Sequence, residues 1–317
     1  MATTTGAFGR FGAAFFAGLN VLQLVGWTAV MIAQGAAALT GLTGWPLGIW
    51  CAALAVLIAV WIVIGLGGAS RLAMVAMGLL AVLCVLLTVR ILRLPGGLAA
   101  AGGGGEALPF WAAFEISAAM PLSWLPLISD YTKEAERPVA ATAVSAAVYT
   151  LTSLWMFALG MLLAGSGCAV LAEGVAKVGQ GVLVPGLIVI TLSTVTTTFL
   201  DAYSAGESAK LIWSWLEPRL VGVVVCAVGA VLAVVGIVDR YIDFLYLIAS
   251  VFAPMAAVLL VSYYGTKGGR PVGNFLAWLA GFLAYQFATS SPIGPTLTSM
   301  LAAAALAAAL ALLPRRP

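Results

Sequence analysis

The sequence predicts an all-α polytopic membrane protein of about ten transmembrane helices, and three observations carry that expectation. Of the 317 residues, 63% are hydrophobic and only 8% are charged, where a soluble domain carries roughly a quarter. Mean hydropathy is +1.13. The apolar residues gather in runs of about twenty, each long enough to cross a ~30 Å hydrocarbon slab. Scarcity of charge therefore reflects a lipid solvent, and the net charge of +3 points to no nucleic-acid partner.

Ten segments follow in order. Residues 11–38 are apolar but carry three amides, Asn20, Gln23 and Gln34. Residues 46–66 are apolar and uncharged, and 70–92 are apolar with Arg71 and Arg90 near the ends. The stretch 94–108 is a Gly-rich loop. Segment 109–129 holds Pro121 and Pro126, and each proline removes a backbone donor and clashes with the preceding turn. A broken span is expected there. Segments 138–165 and 181–212 flank "LAEGVAKVGQG", which is too short and polar to span and reads as an interfacial helix. Segments 219–238, 241–264, 273–290 and 294–314 complete the set. The last holds "LAAAALAAALALL", a small-residue packing surface without chemistry.

Ten spans put both termini on one side. Arg10, Arg71, Lys133, Arg137, Lys210, Arg219, Lys267, Arg270, Arg315 and Arg316 fall on that side, against Arg90, Arg93, Lys177 and Arg240 on the other. Basic residues are retained in the cytoplasm, so both termini are expected to be cytoplasmic in a cell inner (plasma) membrane. The start of the chain shows no signal peptide. Cys51, Cys84, Cys168 and Cys226 lie far apart and there is no histidine, which argues against a zinc site and for small packing residues.

Three polar clusters interrupt the apolar pattern. In "LSTVTTTFLDAYSAG", Ser193, Thr194, Thr197, Asp201 and Ser204 share about a quarter-turn of one helix face, a stripe suited to a cation or polar ligand. Hydroxyls in membrane helices also bond back to their own backbone, the reading preferred for Thr196 and Thr198. In the first span, Asn20, Gln23, Trp27, Met31 and Gln34 share one face. That face is either the wall of a cavity for a flat heterocycle or a set of interhelical amide bonds. In the proline-interrupted span stand Glu115 and Trp124. Glu115 is either buried or an interfacial carboxylate that reaches water, while Asp130, Glu134 and Glu136 belong to a solvated loop. A carboxylate inside hydrocarbon is costly unless paired, which makes Asp201 and Glu115 candidates for function.

The stretches "LNVLQLVGWTAVMIAQGA", "MPLSWLPLISDYTK", "LSTVTTTFLDAYSAG" and "FLYLIASVFAP" resemble the hydroxymethylpyrimidine transporters of the CytX type. These are a branch of the nucleobase:cation symporter-1 (purine/cytosine permease) family. The resemblance implies a LeuT-like core of two inverted five-helix repeats followed by two helices, of which this chain matches family helices three to twelve. On that alignment 1–93 is a partial first repeat of three helices, 109–264 a second repeat of five, and 265–317 the two C-terminal helices. The first two family helices are lacking, so the Met1 start looks truncated, fragmentary or misannotated. The resemblance also assigns roles. Trp27 matches a substrate-stacking tryptophan, with Gln34 one turn beyond the usual glutamine position, now Met31. The second stacking tryptophan falls at Pro121, with Trp124 one turn on, which leaves open whether Trp124 takes its place. Ser193 and Thr194, beside the carbonyl of Ile190, match a sodium-binding pair. The substrate-reading asparagine falls near Phe199, with Asp201 one turn away.

The expected function is cation-coupled import of hydroxymethylpyrimidine or a related nucleobase by alternating access, with Na+ or H+ as coupling ion and no cofactor. Substrate-binding candidates are Gln23, Trp27, Gln34, Glu115, Trp124 and Asp201; cation candidates are Ile190, Ser193 and Thr194. Asp201 or Glu115 would accept from the exocyclic amine of the pyrimidine. The alternative is a transport-incompetent fragment or membrane scaffold. An intramembrane enzyme is disfavoured, because no histidine is available as a base and few carboxylates lie within the spans. No GxxxxGK[ST] motif supports ATP-driven pumping. The partners expected are a small pyrimidine and the bilayer; the sequence says nothing of oligomeric state.

Overall fold

A computed structural model of the chain describes residues 4–64, 66–93, 109–132, 135–168, 171–265, 270–288 and 291–313. The Gly-rich loop 94–108 and the side chains of Asp130 and Glu134 lie outside what is described, and Glu136 is exposed.

The described residues form eleven α-helices and no strand: α1 (Thr5–Thr43), α2 (Leu47–Ile64), α3 (Leu66–Leu92), α4 (Phe110–Thr132), α5 (Pro138–Gly165), α6 (Leu171–Val178), α7 (Gln180–Ile212), α8 (Pro218–Val235), α9 (Tyr241–Leu260), α10 (Pro271–Phe287) and α11 (Pro295–Leu312). Nine helical stretches are long and apolar enough to cross a membrane. The expected tenth, α10, has 17 residues and spans about 26 Å, at the short limit for a crossing. The eight-residue α6 is the short helix expected between the fifth and sixth segments.

Helix α1 is the post around which the others stand. It packs against α2, α7, α8 and α10, and most of its middle is buried. One apolar core lies between α1, α2, α7 and α8, around Leu24, Ile32, Ile58 and Phe199. A second joins the start of α1 to α9, α10 and α11, around Phe16, Phe252 and Trp278. A third joins α3, α5, α6 and α7. The perimeter stays apolar: Val60, Val63, Met74, Val82, Leu151, Leu154 and Val231 are all more than half exposed. Such a surface is stable only against lipid, which fits the composition.

The expected break at Pro121 and Pro126 is corrected by the structure, since both prolines lie inside a single helix, Phe110–Thr132. Each proline leaves the carbonyl four residues before it, Ser117 and Leu122, without its helical donor. Close by, Ser123 Oγ donates to the Met120 carbonyl at 2.6 Å, and Gln23 Nε2 donates to the Ser123 carbonyl at 2.9 Å. Prolines are tolerated in spanning helices packed among neighbours.

Among the described glycines, the tightest position lies between α7 and α8. A Cβ on Gly206 would lie 2.1 Å from the Pro218 carbonyl oxygen, so the hydrogen of glycine is a packing requirement. Gly206→Ala is expected to lower stability by about 1–3 kcal/mol through overpacking. Gly78→Ala, in open space on α3, should be neutral or slightly stabilising. Thermal unfolding of the two variants in detergent compares them directly.

Candidate functional site

Helices α1 and α7 run antiparallel, and two contacts fix their register. Asn20 Nδ2 donates to Ser208 Oγ at 2.7 Å, and Thr198 Oγ1 approaches Met31 Sδ at 3.5 Å. Asp201 lies between these contacts, which sets it at the level of Trp27 and Thr28. Thr194 and Ser208, seven residues to either side, share its face, and both meet α1, at Gly35 and Asn20. Asp201 is buried, 8% exposed, and makes no hydrogen bond or ion pair among the described residues.

From a neighbouring position on that face of α1, Gln23 reaches α4. Both of its N–H donors are used, one on Asn20 Oδ1 at 2.7 Å and one on the Ser123 carbonyl at 2.9 Å. The amide wall is therefore in part an interhelical bond network, and Gln23 keeps only its Oε1, buried and unpartnered, for anything else. Trp27, one turn on, is boxed edge-to-face by Tyr241 at 6.0 Å and Phe244 at 5.5 Å on α9. It also packs beside Ala119 and Met120 of α4. Its indole Nε1 is buried without an acceptor, and so is the Thr28 hydroxyl.

Within two turns of α1, then, lie an indole donor, an amide acceptor and a hydroxyl, all buried and unsatisfied, at the level of an unpaired carboxylate on α7. Buried polar atoms are nearly always paired, and each orphan costs about 1–3 kcal/mol. Trp27 Nε1, Gln23 Oε1 and Asp201 thus stand without partners among the described residues, while Thr28 turns toward Gly229 of α8.

The other expected residues fall as follows. Gln34 lies on the same side of α1 as Gln23 and Trp27 but is exposed. Trp124 is half-buried on α4 beside Ser123. Ser193 is buried and Thr194 half-buried, and neither hydroxyl has a hydrogen-bond partner among the described residues. Ile190 packs its side chain against the α3–α5–α6 core. Thr196 and Thr197 bond back to the Ser193 carbonyl at 3.0 and 2.8 Å, and Thr198 to the Thr194 carbonyl at 2.7 Å. The back-bonding expected for Thr196 and Thr198 is thus seen.

Glu115 is not brought to this cluster; it caps another helix. One carboxylate oxygen accepts the Thr296 backbone N–H at 2.9 Å and the other accepts the Thr296 hydroxyl. Gly294 comes so close that a Cβ there would lie 2.5 Å from Glu115 Oε1. A carboxylate at the first turn of a helix satisfies its orphan donors and its positive dipole end. Of the two roles left open for Glu115, the buried one holds: it is 2% exposed, beside a cavity of about 500 Å³ lined by Trp111, Tyr246, Tyr285 and Gln286.

Sequence reasoning did not single out Ser208, Thr28, Tyr241 or Phe244. Ser208 had a readable signal, seven residues beyond Asp201 on the same face. The aromatic box around Trp27 had none, because α9 reads as an ordinary apolar span. No group of three or more His, Cys, Asp or Glu side chains able to hold a metal occurs among the described residues.

No family model matches the chain, and no curated protein matches it. Among solved structures, the chain resembles Mhp1 in its inward-facing conformation, with TM-score 0.68 and 16% identity over 93% of this chain and 73% of that one. It resembles Mhp1, described as a nucleobase-cation-symport-1 family transporter, closed on bromovinylhydantoin, with TM-score 0.66 and 19% identity over 92% and 74%. A substrate-bound, outward-open Na+-coupled sialic acid symporter gives TM-score 0.68 and 12% identity over 98% and 76%. At these identities the likeness establishes the fold: a multi-pass helical arrangement shared with LeuT-like symporters.

Removing the cap on α11 tests the position of Glu115. Glu115→Ala strands two donors of Thr296 and is expected to cost about 1–3 kcal/mol in thermal unfolding. Glu115→Gln keeps an acceptor for the backbone N–H and should cost less.

Proposed function

We propose that the chain works as a secondary transporter for a flat nitrogen heterocycle, hydroxymethylpyrimidine or a related nucleobase, in the manner of the nucleobase:cation symporter-1 family. The single observation that carries the reading is the unsatisfied polar cluster between α1 and α7. An aminopyrimidine complements it group by group. Its exocyclic amine donates to Asp201 and to Gln23 Oε1, and a ring nitrogen accepts from Trp27 Nε1. Tyr241 and Phe244 hold the indole in place, and Trp124 stands on the neighbouring helix. The resemblance at the sequence level and the fold shared with Mhp1 support the same reading.

The coupling ion in this reading is Na+ or H+. The free hydroxyls of Ser193 and Thr194, with the Ile190 carbonyl, supply hard oxygen ligands for sodium. The domain scheme follows: 1–93 a partial first repeat, 109–264 a second and 265–317 the C-terminal pair, in an inner membrane with both termini cytoplasmic.

Reconstituted in proteoliposomes, the chain should accumulate radiolabelled 4-amino-5-hydroxymethyl-2-methylpyrimidine under an inward ion gradient. Asp201→Asn should weaken binding, read by tryptophan fluorescence, by about tenfold or more, as loss of a charge-assisted hydrogen bond implies. Ser193→Ala and Thr194→Ala should abolish any sodium dependence while leaving a proton-driven component. Unchanged affinity in Asp201→Asn and Trp27→Ala together would overturn the site, and binding without accumulation would favour the non-transporting alternative.

A further inference from the structure

A second polar feature lies at the end of the bundle where α3 finishes. A cavity of about 250 Å³ is lined by Arg90, Arg93, Ser166, Cys168, Gly174 and Lys177. These residues come from the end of α3, the turn after α5, and α6. Three cations thus converge from two helices that are distant in sequence. No carboxylate lines the cavity among the described residues, and Glu173 on α6 is exposed and outside it. Lys177 Nζ is tethered to the Ser166 carbonyl, which fixes its head at the cavity. Neither arginine side chain makes a hydrogen bond or ion pair among the described residues.

Local helix physics accounts for part of this arrangement only. Arg90 stands in the last turn of α3 and Lys177 in the last turn of α6, where the dipole favours a cation. That rule places each residue singly. It does not explain why three of the four basic residues expected on this side of the membrane gather at one hollow with no carboxylate among its described lining residues. Like charges brought together repel, so the cluster is stable when an anion occupies it.

The surroundings say which anion. Directly along α3 from Arg90 and Arg93, the side chains of Val82, Val85, Leu86, Val89 and Leu92 are all 40% or more exposed, an apolar stripe facing outward. A cationic hollow at the end of such a stripe matches a molecule with a phosphate head and hydrocarbon tails. We propose that this cavity binds the phosphate of an anionic phospholipid, with the guanidiniums of Arg90 and Arg93 and the ammonium of Lys177 on the headgroup and the acyl chains along α3. Guanidinium forks suit phosphate oxygens, and basic pockets between spanning helices are a known way to hold lipid heads. The proposal does not depend on the transport reading.

The test uses the full chain purified in detergent. Lipid binding is read by native mass spectrometry against phosphatidylglycerol and, separately, phosphatidylcholine. The wild-type chain should retain phosphatidylglycerol preferentially. Arg90→Gln, Arg93→Gln and Lys177→Gln should each weaken that retention about fivefold. Arg219→Gln, an exposed cation at the other end of the bundle, should leave it unchanged. Arg93→Gln alone lies in the exposed turn after α3, so it remains informative where a combined variant fails to fold. Equal retention of the two lipids, or an equal loss in Arg219→Gln, overturns the proposal. Stabilisation by inorganic phosphate that vanishes in Arg93→Gln, without lipid discrimination, overturns the lipid and leaves a free phosphate as occupant.

Discussion

A side-chain amide inside a bilayer finds no water, and the arrangement of this bundle depends on how two of them are satisfied. Asn20 and Gln23, one turn apart on α1, bond to each other and then outward, Asn20 to Ser208 on α7 and Gln23 to the Ser123 carbonyl on α4. Between helices in lipid there is little hydrophobic drive for association, so interhelical hydrogen bonds and close packing set the register. This chain of three bonds ties α4 and α7 to neighbouring positions on one face of α1. The same bonds bring Asp201 and Trp27 to one level. Gln23 meets α4 between its two prolines, Pro121 and Pro126.

Much of this was legible in the residues. The apolar runs give the helices to within a few positions, because lipid enforces a run of about twenty apolar residues whatever the tertiary structure. The stripe on α7 and the polar face of α1 were readable for the same reason: polar groups in a span are rare enough to be meaningful. The continuity of α4 was not readable, because the neighbours it packs and bonds against, such as Gln23, lie as far as a hundred positions away. Glu115 shows the same limit. Its burial was one of two local readings, but its partner, Thr296, lies 181 residues downstream on a helix whose own sequence carries no hint of a carboxylate.

Glu115 and Asp201 are both buried carboxylates, yet the protein treats them in opposite ways. Glu115 receives a backbone N–H and a hydroxyl at a helix start, where the dipole adds to the stabilisation, and so it ties α4 to α11. Asp201 receives no hydrogen bond or ion pair among the described residues. A sequence argument that ranks carboxylates by burial alone puts them together, while the hydrogen bonds separate a helix cap from a carboxylate without a described partner.

That separation narrows what the cluster around Trp27 can be for. Were Asp201 a packing residue, an alanine or asparagine satisfied by the Asn20–Ser208 network would fill its place at lower cost, since an unpaired buried carboxylate is among the most expensive groups a membrane protein can keep. Gln23 Oε1 and Trp27 Nε1 are both buried without a partner among the described residues. Each group is held by other contacts: Gln23 by its two donated bonds, Trp27 by two aromatic edges. Among the described residues these groups therefore do not satisfy one another. In the reading proposed above, a ligand carrying a donor for the carboxylate and an acceptor for the indole would complete them.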